Sequence, residues 1–158
     1  AAINTGGSGA PVGILGTAGI GAFTGTSLAV AALLDAQADV AGANALTTEC
    51  AYLTTPAVAV LLAQRPRMTG GLETPLWQGN ILDGNVLGFR AATSMQVPSA
   101  TAIFGDFSQV IFAEWGVLEI AANPYANFAA GITGIRAFLT ADVGVRVAGA
   151  FSAASTIT

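Results

Sequence analysis

AIFGDFSQVIFAEWGVLEI, residues 102–120, is the densest concentration of β-forming and aromatic residues in the chain. Gly105-Asp106 suits a tight turn, because glycine tolerates a positive φ and an aspartate side chain can accept hydrogen bonds from its own backbone. Glu114-Trp115-Gly116 interrupts the run a second time. The stretch therefore predicts three short strands joined by minimal turns at the centre of an antiparallel sheet: residues 102–104, 107–113 and 117–120.

The chain is poor in charge for its hydrophobic content. Only 9% of its 158 residues are charged and 53% are hydrophobic, whereas about 25% are charged in an average soluble protein. Lysine is absent, and all five basic residues are arginine. Because a lone globule of this size needs a hydrated surface, we expect either lipid or other copies of the protein to cover much of it.

Lipid is the weaker of these two alternatives. Residues 12–34 are uncharged and long enough to span a bilayer, but they include five glycines and four serines or threonines. The cationic flank of a membrane span is missing until Arg65. Residues 1–11 also lack the positive region of a secretory signal and read like the middle of a longer protein. We therefore expect no membrane partner.

The charge balance also argues against a nucleic-acid-binding surface. The net charge is −4 and the pI is about 4.4, whereas affinity for phosphate backbones comes from clustered cations. The single cysteine, Cys50, excludes an internal disulfide and suits a reducing compartment. Its apolar neighbours predict that it packs as a small hydrophobe.

Residues able to carry out chemistry are scarce. Histidine is absent, which removes the usual general base and the commonest metal ligand. Residues 16–21 and 7–9 are glycine-rich, but neither stretch has the lysine or the strand-to-helix setting of a phosphate loop, so both are predicted to be flexible loops. Trp77 and Trp115 are predicted to anchor a core or an interface.

Three carboxylates remain as candidates for catalysis. Asp106, Glu114 and Glu119 are close in sequence, and a two-carboxylate hydrolase would need such groups to face one cleft. We interpret Asp106 as a turn residue and the two glutamates as solvated strand ends. We therefore predict no catalytic, cofactor-binding or metal-binding residue and no enzymatic activity.

Two helices are predicted in the first half, after a helix tail at residues 1–4 that Gly6-Gly7 would end. Ser27 is a candidate N-cap for a helix that runs to about Ala41 and is ended by Gly42 and Asn44. Thr55-Pro56 is a stronger start signal, because threonine is predicted to cap the helix and proline at the first helical position loses no hydrogen bond. That second helix, residues 56–64, is almost wholly apolar and is predicted to be buried. The predicted buried face of the first helix consists of Leu28, Ala31, Leu34 and Ala38.

Strands dominate the rest of the chain, so the predicted fold class is α+β. Asp83-Gly84 is a hairpin signal. Further turns are predicted at residues 123–125 and 141–144, with Gly149 bending the last strand. Residues 68–80 are predicted to form a loop anchored by Trp77. The remaining predicted strands are residues 20–24, 47–53, 80–82, 86–90, 128–140, 145–147 and 150–152.

Ile103-Phe104-Gly105-Asp106-Phe107-Ser108 belongs to a series of short motifs in a suggestive order. The series also includes AAINTGGSGAPVGIL at 1–15, YLTTP at 52–56, LGFR at 87–90 with VP at 97–98, IRA at 135–137, Asp142, and AF at 150–151. In this order they resemble the major capsid protein family of tailed bacteriophages with the Hong Kong 97 type fold, in which the best match is an "a-f-G-D-f" segment. Ala148-Gly149 departs from the family, where a proline is common.

The resemblance implies a domain organisation. Residues 1–15 would hold the end of a spine helix and the segment that follows it. Residues 16–125 would form an α+β unit like the axial domain. Residues 126–158 would supply long peripheral strands that return to the axial domain. Most of the spine helix, an N-terminal arm and an extended loop would precede Ala1.

The resemblance also implies a structural function. The chain would be a major capsid subunit of a phage or prophage, with copies of itself as partners in pentamers and hexamers of an icosahedral head. It would enclose DNA without binding it specifically, use no cofactor, assemble in the bacterial cytoplasm and end in the virion. Loops at residues 16–25 or 68–80 would line the ring axes. The absence of lysine excludes this chain as the lysine donor of a covalent cross-link.

Three alternatives remain open at this point. A host-encoded, encapsulin-like nanocompartment shell would share the fold. A small hydrolase would use Asp106 and Glu114, provided that the two side chains converge in a pocket. A membrane-associated domain would partition into detergent.

Overall fold

A mixed seven-stranded sheet and a separate two-stranded ribbon make up the computed structural model, which describes residues 2–6, 11–67 and 74–158. Two α-helices accompany the sheet, so the α+β prediction is confirmed. The helices are α1 (Val30–Gly42) and α2 (Pro56–Gln64). The strands are β1 (Gly21–Ala22), β2 (Ala51–Thr54), β3 (Trp77–Gly79), β4 (Asp83–Val86), β5 (Phe89–Thr93), β6 (Ala102–Gly105), β7 (Val110–Asn127), β8 (Ile132–Val145) and β9 (Phe151–Ala154).

The strand order of the sheet is β1-β9-β6-β2-β5-β4-β3. β6 lies between β9 and β2 and is antiparallel to both, which confirms the prediction for residues 102–104. β2 and β5 run parallel, as do β1 and β9. Residues 110–113 and 117–120 are extended as predicted, but they belong to one strand of the ribbon, β7. Their predicted place in this sheet is wrong, because the 3₁₀ turn Phe107–Gln109 takes the chain out of it.

Helix α1 begins at Val30, later than predicted. Ser27 has a φ of 53° and does not cap it; Ala29 is the N-cap. The predicted buried face is wrong, because Leu28 is buried but precedes the helix, so a 3.6-residue period counted from it marks the wrong side. The residues of α1 that are buried are Ala32, Leu33, Ala36 and Val40.

Helix α2 has the predicted bounds, with Pro56 in its first turn. Only one face of it is buried, formed by Val58, Ala59 and Leu62, whereas Val60 is exposed. The Thr55 hydroxyl makes no capping hydrogen bond and is buried without a partner. The boundary prediction is therefore confirmed, and the predictions of complete burial and of a threonine cap are wrong.

Residues 80–82, predicted as a strand, are instead the connection between β3 and β4, and the hairpin predicted at Asp83-Gly84 lies later. Asp83-Gly84 belongs to β4, and the chain reverses at Leu87-Gly88, where φ is 50° and 91°. Two successive positive φ values match the twist of a tight hairpin. Trp77, predicted in a loop, begins β3 and is only 2% exposed, and its Nε1 donates to the Asn80 carbonyl at 2.8 Å. Residues 68–73 of that predicted loop lie outside the described residues.

The ribbon contains none of the predicted turns. β7 runs through residues 114–116 and 123–125, and β8 runs through residues 141–144. The pairing shifts register between Trp115 and Glu119 and between Asn123 and Asn127, so the two turn signals of β7 produce bulges rather than strand ends, whereas residues 141–144 of β8 pair without a shift. The chain reverses at residues 128–131, and the predicted domain boundary after residue 125 falls inside β7.

Both ends of the chain also differ from prediction. Residues 2–4 are not helical; instead the carbonyls of Ala2 and Ile3 accept from the N–H groups of Ile14 and Leu15 at 2.8 and 3.2 Å. Residues 7–10 lie outside the described residues. The last strand is β9, and a 3₁₀ turn at Ala148–Ala150 separates it from β8.

Apolar side chains pack on both faces of the sheet. The larger cluster lies between the sheet and the helices and includes Leu33, Tyr52 and Phe104. The smaller cluster contains Ile14, Ile103, Ala150 and Phe151, and Val110 and Val145 pack against it. Because these two valines pair at the start of β7 and the end of β8, the smaller cluster attaches the ribbon to the sheet.

Candidate functional site

The ribbon exposes the largest set of apolar side chains on the described part of the chain. Eleven of the eighteen large hydrophobic residues that are exposed in the described part lie in it. Cross-strand pairing assigns those outside the two register shifts to one face or the other, since residues directly opposite each other point the same way. The eleven are Ile111, Phe112, Trp115, Val117, Leu118, Ile120, Tyr125, Ile132, Ile135, Phe138 and Leu139.

One face of the ribbon, which we name the apolar face, carries a single charged residue. It is formed by Val110, Phe112, Glu114, Ile120 and Ala122 of β7 and by their partners Val145, Val143, Ala141, Ala137 and Ile135 of β8. Leu139 joins them by strand alternation. Val143 at the base is buried, but Phe112, Ile120 and Ile135 are 61–74% exposed. Water therefore contacts a continuous strip of aliphatic and aromatic groups.

The opposite face, which we name the mixed face, combines aromatic and charged groups. Trp115 lies opposite Thr140, and Glu119 lies opposite Phe138. The Arg136 guanidinium carbon lies 4.8 Å from the centroid of the Phe138 ring, within the range of a cation–π contact. Trp77 is a core anchor as predicted, and the exposed Trp115 stays a predicted interface anchor.

The base of the ribbon is held by a buried carboxylate. Asp106 is 5% exposed and caps the 3₁₀ turn by accepting from the N–H of Ser108 at 2.9 Å. Its second oxygen accepts from Gln109 Nε2 at 3.2 Å, and Gln109 Oε1 accepts from Arg146 Nε at 3.0 Å. Asp106 is a turn residue, as predicted. The turn is the 3₁₀ turn at residues 107–109 that follows it, however, and Gly105 is not part of that turn.

The surroundings of Asp106 favour its ionised form. Burial alone would raise the pKa of this carboxyl group, but hydrogen bonds from Ser108 and Gln109 and the nearby charge of Arg146 outweigh burial. The pKa of Asp106 therefore lies below its ordinary value. A carboxylate in this state stabilises local structure and is not poised to donate a proton.

The three candidate carboxylates do not form a catalytic pair. Glu114 pairs with Ala141 on the apolar face, and Glu119 pairs with Phe138 on the mixed face. Both oxygens of Asp106 are already bonded within their own turn. The requirement of the hydrolase alternative, two carboxylates facing one cleft, is therefore not met.

The other candidates of the sequence also have structural explanations. Residues 16–21 connect a 3₁₀ turn to β1, which is not the strand-to-helix setting of a phosphate loop. Cys50 is buried as predicted. Within residues 2–6, 11–67 and 74–158, no cluster of three or more potential ligands could hold a metal ion. No helix in those ranges is both long and apolar enough to cross a bilayer.

Sequence reasoning missed Gln109 and Arg146. They are 37 positions apart, and neither belongs to a local motif. Their contact exists only because β7 and β8 form one ribbon whose two ends return to the same place. Only a prediction that residues 110–145 form one long hairpin would have placed Gln109 and Arg146 next to each other.

Known proteins share both the sequence pattern and the fold. A sequence model described as the Phage capsid family matches residues 1–155. The major capsid protein of Halomonas phage phiHAP-1 is 31% identical over 121 residues, which are 77% of this chain and 19% of that protein.

Two solved structures show that this chain has their fold. The capsid of a native GTA particle is 18% identical with a TM-score of 0.70, covering 99% of this chain and 59% of that one. A virus-like particle from Pyrococcus furiosus is 12% identical with a TM-score of 0.55, covering 90% of this chain and 58% of that one. The chain thus spans about a fifth of the curated relative's length and about three fifths of each solved chain.

Proposed function

The chain belongs to the phage capsid family, and we propose that it forms the wall of a closed shell as part of a major capsid protein. The family is structural, which leaves no role for an enzymatic site. The observation that carries the proposal is the exposed apolar strip on the ribbon. Monomeric proteins rarely expose large contiguous apolar patches, and such patches mark contact surfaces.

The ribbon is expected to be stable only when another surface covers its apolar side chains. A two-stranded ribbon alone is at best marginally stable, and this one exposes apolar groups along both faces. The apolar face has one carboxylate, Glu114, and no cation among its paired residues. We propose that other polypeptide of the assembled shell covers it.

The partners in this proposal are further copies of the protein, arranged in pentameric and hexameric rings of an icosahedral head. Closed symmetric assemblies need many weak, repeated contacts, and a low charge favours close approach of like subunits. The net charge of −4 supports a wall that encloses DNA without gripping it. Virion location and assembly in the bacterial cytoplasm follow from the same proposal.

The predicted division into residues 1–15, 16–125 and 126–158 stays a prediction. We propose a changed boundary, in which the seven-stranded sheet with α1 and α2 would be the axial domain and the ribbon the peripheral part, because β7 continues past residue 125 and β9 belongs to the sheet. The stretch at residues 16–25 remains a candidate for the ring axis, because it contains the edge strand β1.

A nanocompartment shell is the second candidate. It would have the same fold as a phage head, and the fold shared with the Pyrococcus furiosus virus-like particle and with the GTA capsid does not separate the two candidates. A peptide cargo bound inside purified shells, in place of packaged DNA, would select this candidate.

Electron microscopy of the full-length protein tests the proposal. We expect closed shells from the unmodified protein and none from Ile135→Lys, because a lysine on the apolar face could not be covered without the loss of its hydration. Leu82→Lys is the matched control, since Leu82 is similarly exposed outside the ribbon. Shells from Ile135→Lys, or a monodisperse monomer from the unmodified protein, would contradict the proposal.

A further inference from the structure

Two connections join the ribbon to the sheet, and they are bonded to each other. The outgoing connection is Phe107–Gln109, and the returning one is residues 146–150. The N–H of Asp106 donates to the Ala150 carbonyl at 3.1 Å, and the N–H of Arg146 donates to the Gln109 carbonyl at 2.9 Å. The main chain thus ties the connections together at both of their ends.

A side-chain relay adds a third tie in the same place. Asp106 accepts from Gln109 Nε2, and Gln109 Oε1 accepts from Arg146 Nε. The amide orientation follows from chemistry, because an ionised carboxylate only accepts and a guanidinium only donates. Gln109 is hydrogen-bonded to both charged groups, so it links the outgoing connection to the returning one.

Apolar side chains pack together at the same junction between the sheet and the ribbon. The rings of Phe107 and Phe151 meet edge to face with centroids 5.6 Å apart. Val110 and Val145 pack against the smaller apolar cluster, to which Phe151 belongs. A Cβ at Gly105 would overlap the Ala150 carbonyl and the Phe151 ring, so the connections pack without spare room. The base of the ribbon therefore combines an apolar pivot with a polar tie.

We propose that Asp106, Gln109 and Arg146 form a clamp that fixes the angle at which the ribbon leaves the sheet, with Gln109 as the positioning residue. The ribbon makes this angle consequential. At about 3.3 Å per residue, the 14 residues of β8 reach about 45 Å, so a change of roughly 5° at the base moves the tip by about 4 Å. If the chain forms a shell, as the proposed function has it, the clamp would also fix where the tip of the ribbon meets neighbouring subunits.

Distances between two spin labels test the clamp in the chain itself. Labels on Asn85→Cys in β4 and Thr140→Cys in β8, with Cys50→Ala to remove the native thiol, report the angle between sheet and ribbon. We expect one narrow distance distribution in this background. Gln109→Leu should broaden it by about twofold, because the relay is broken at its centre and the ribbon samples more orientations. Gln64→Leu, the same change on an exposed position of α2 that pairs with neither labelled strand, should leave the width unchanged.

A paired substitution separates a positioning role from general damage. Gln109→Glu alone places a second carboxylate beside Asp106 and should also broaden the distribution. Asp106→Asn combined with Gln109→Glu keeps the net charge of the native pair and restores every contact. The amide introduced at position 106 donates to the carboxylate introduced at position 109, which still accepts from Arg146. We expect the double variant to recover the narrow distribution.

Unchanged widths in Gln109→Leu and Gln109→Glu would overturn the clamp, as would failure of the double variant to narrow the distribution. Because the labels report geometry in the chain alone, these results do not depend on shell formation. Loss of shells in Ile135→Lys with no effect of Gln109→Leu on the label distances would leave the proposed function intact and reject the clamp.

Discussion

The sheet and the ribbon contain the same types of apolar residue, but the sheet buries them and the ribbon exposes them. In the sheet, residues such as Phe104 and Trp77 are enclosed by α1, α2 and neighbouring strands. In the ribbon, Phe112 and Trp115 remain in contact with water. The comparison shows that the apolar side chains of this low-charge chain have two roles. In the sheet they form the core, and on the ribbon they form a surface suited to contact with other polypeptide.

Truncation of a phenylalanine in each region should give the largest difference between them. Phe104→Ala removes a ring that is 0% exposed and should lower the free energy of unfolding by about 3–5 kcal/mol. Phe112→Ala should change it by no more than about 0.5 kcal/mol in the chain alone, because the ring is mostly in water already. Urea denaturation followed by circular dichroism measures both. Similar losses at the two positions would break the comparison.

Addition of a methyl group should give a smaller contrast. Gly105→Ala forces a Cβ against the Ala150 carbonyl and the Phe151 ring, neither of which can yield easily, so we expect a loss of about 1–3 kcal/mol. Gly144→Ala in the ribbon meets nothing within 4 Å and should be close to neutral. The same urea titrations compare the two. A neutral Gly105→Ala would show that the junction is loosely packed.

Acid should weaken the junction between the two regions. Because the pKa of Asp106 is lower in the folded chain than its ordinary value of 3.8, this group contributes stability above that value and loses it as the pH falls through the folded pKa. Arg146 is the charged group that acts on it among the described residues, and its hydrogen-bond partners, Ser108 and Gln109, do not titrate. We expect the melting temperature of the native chain to fall more steeply below pH 4 than that of Asp106→Asn. Parallel melting curves for the two proteins would contradict this assignment.

Sequence signals were most informative where their cause is local. Thr55-Pro56 and Arg65-Pro66 set the ends of α2, because proline geometry acts on its immediate neighbours. The order of short motifs identified the family over nearly the whole chain. The face of α1 was mistaken because burial of Leu28 comes from the loop before the helix, not from the helical period.

The ribbon could not be predicted in the same way. Gly116 has a φ of 81° and Pro124 follows Asn123, and both look like turns when only the sequence is visible. Pairing with β8 over most of its length holds β7 extended through them, and this pairing joins residues up to 35 positions apart. The relay from Asp106 through Gln109 to Arg146 depends on the same pairing, so no local pattern marks it.

The most direct test of the central claim is hydroxyl-radical footprinting of the ribbon in assembled shells and in the chain alone. The account predicts that Phe112, Ile120, Ile135 and Leu139 react readily in the chain and are protected in shells, while Trp77 is protected in both. Equal reactivity of these four apolar-face residues in shells and in the chain would contradict the claim that the ribbon is a covered contact surface.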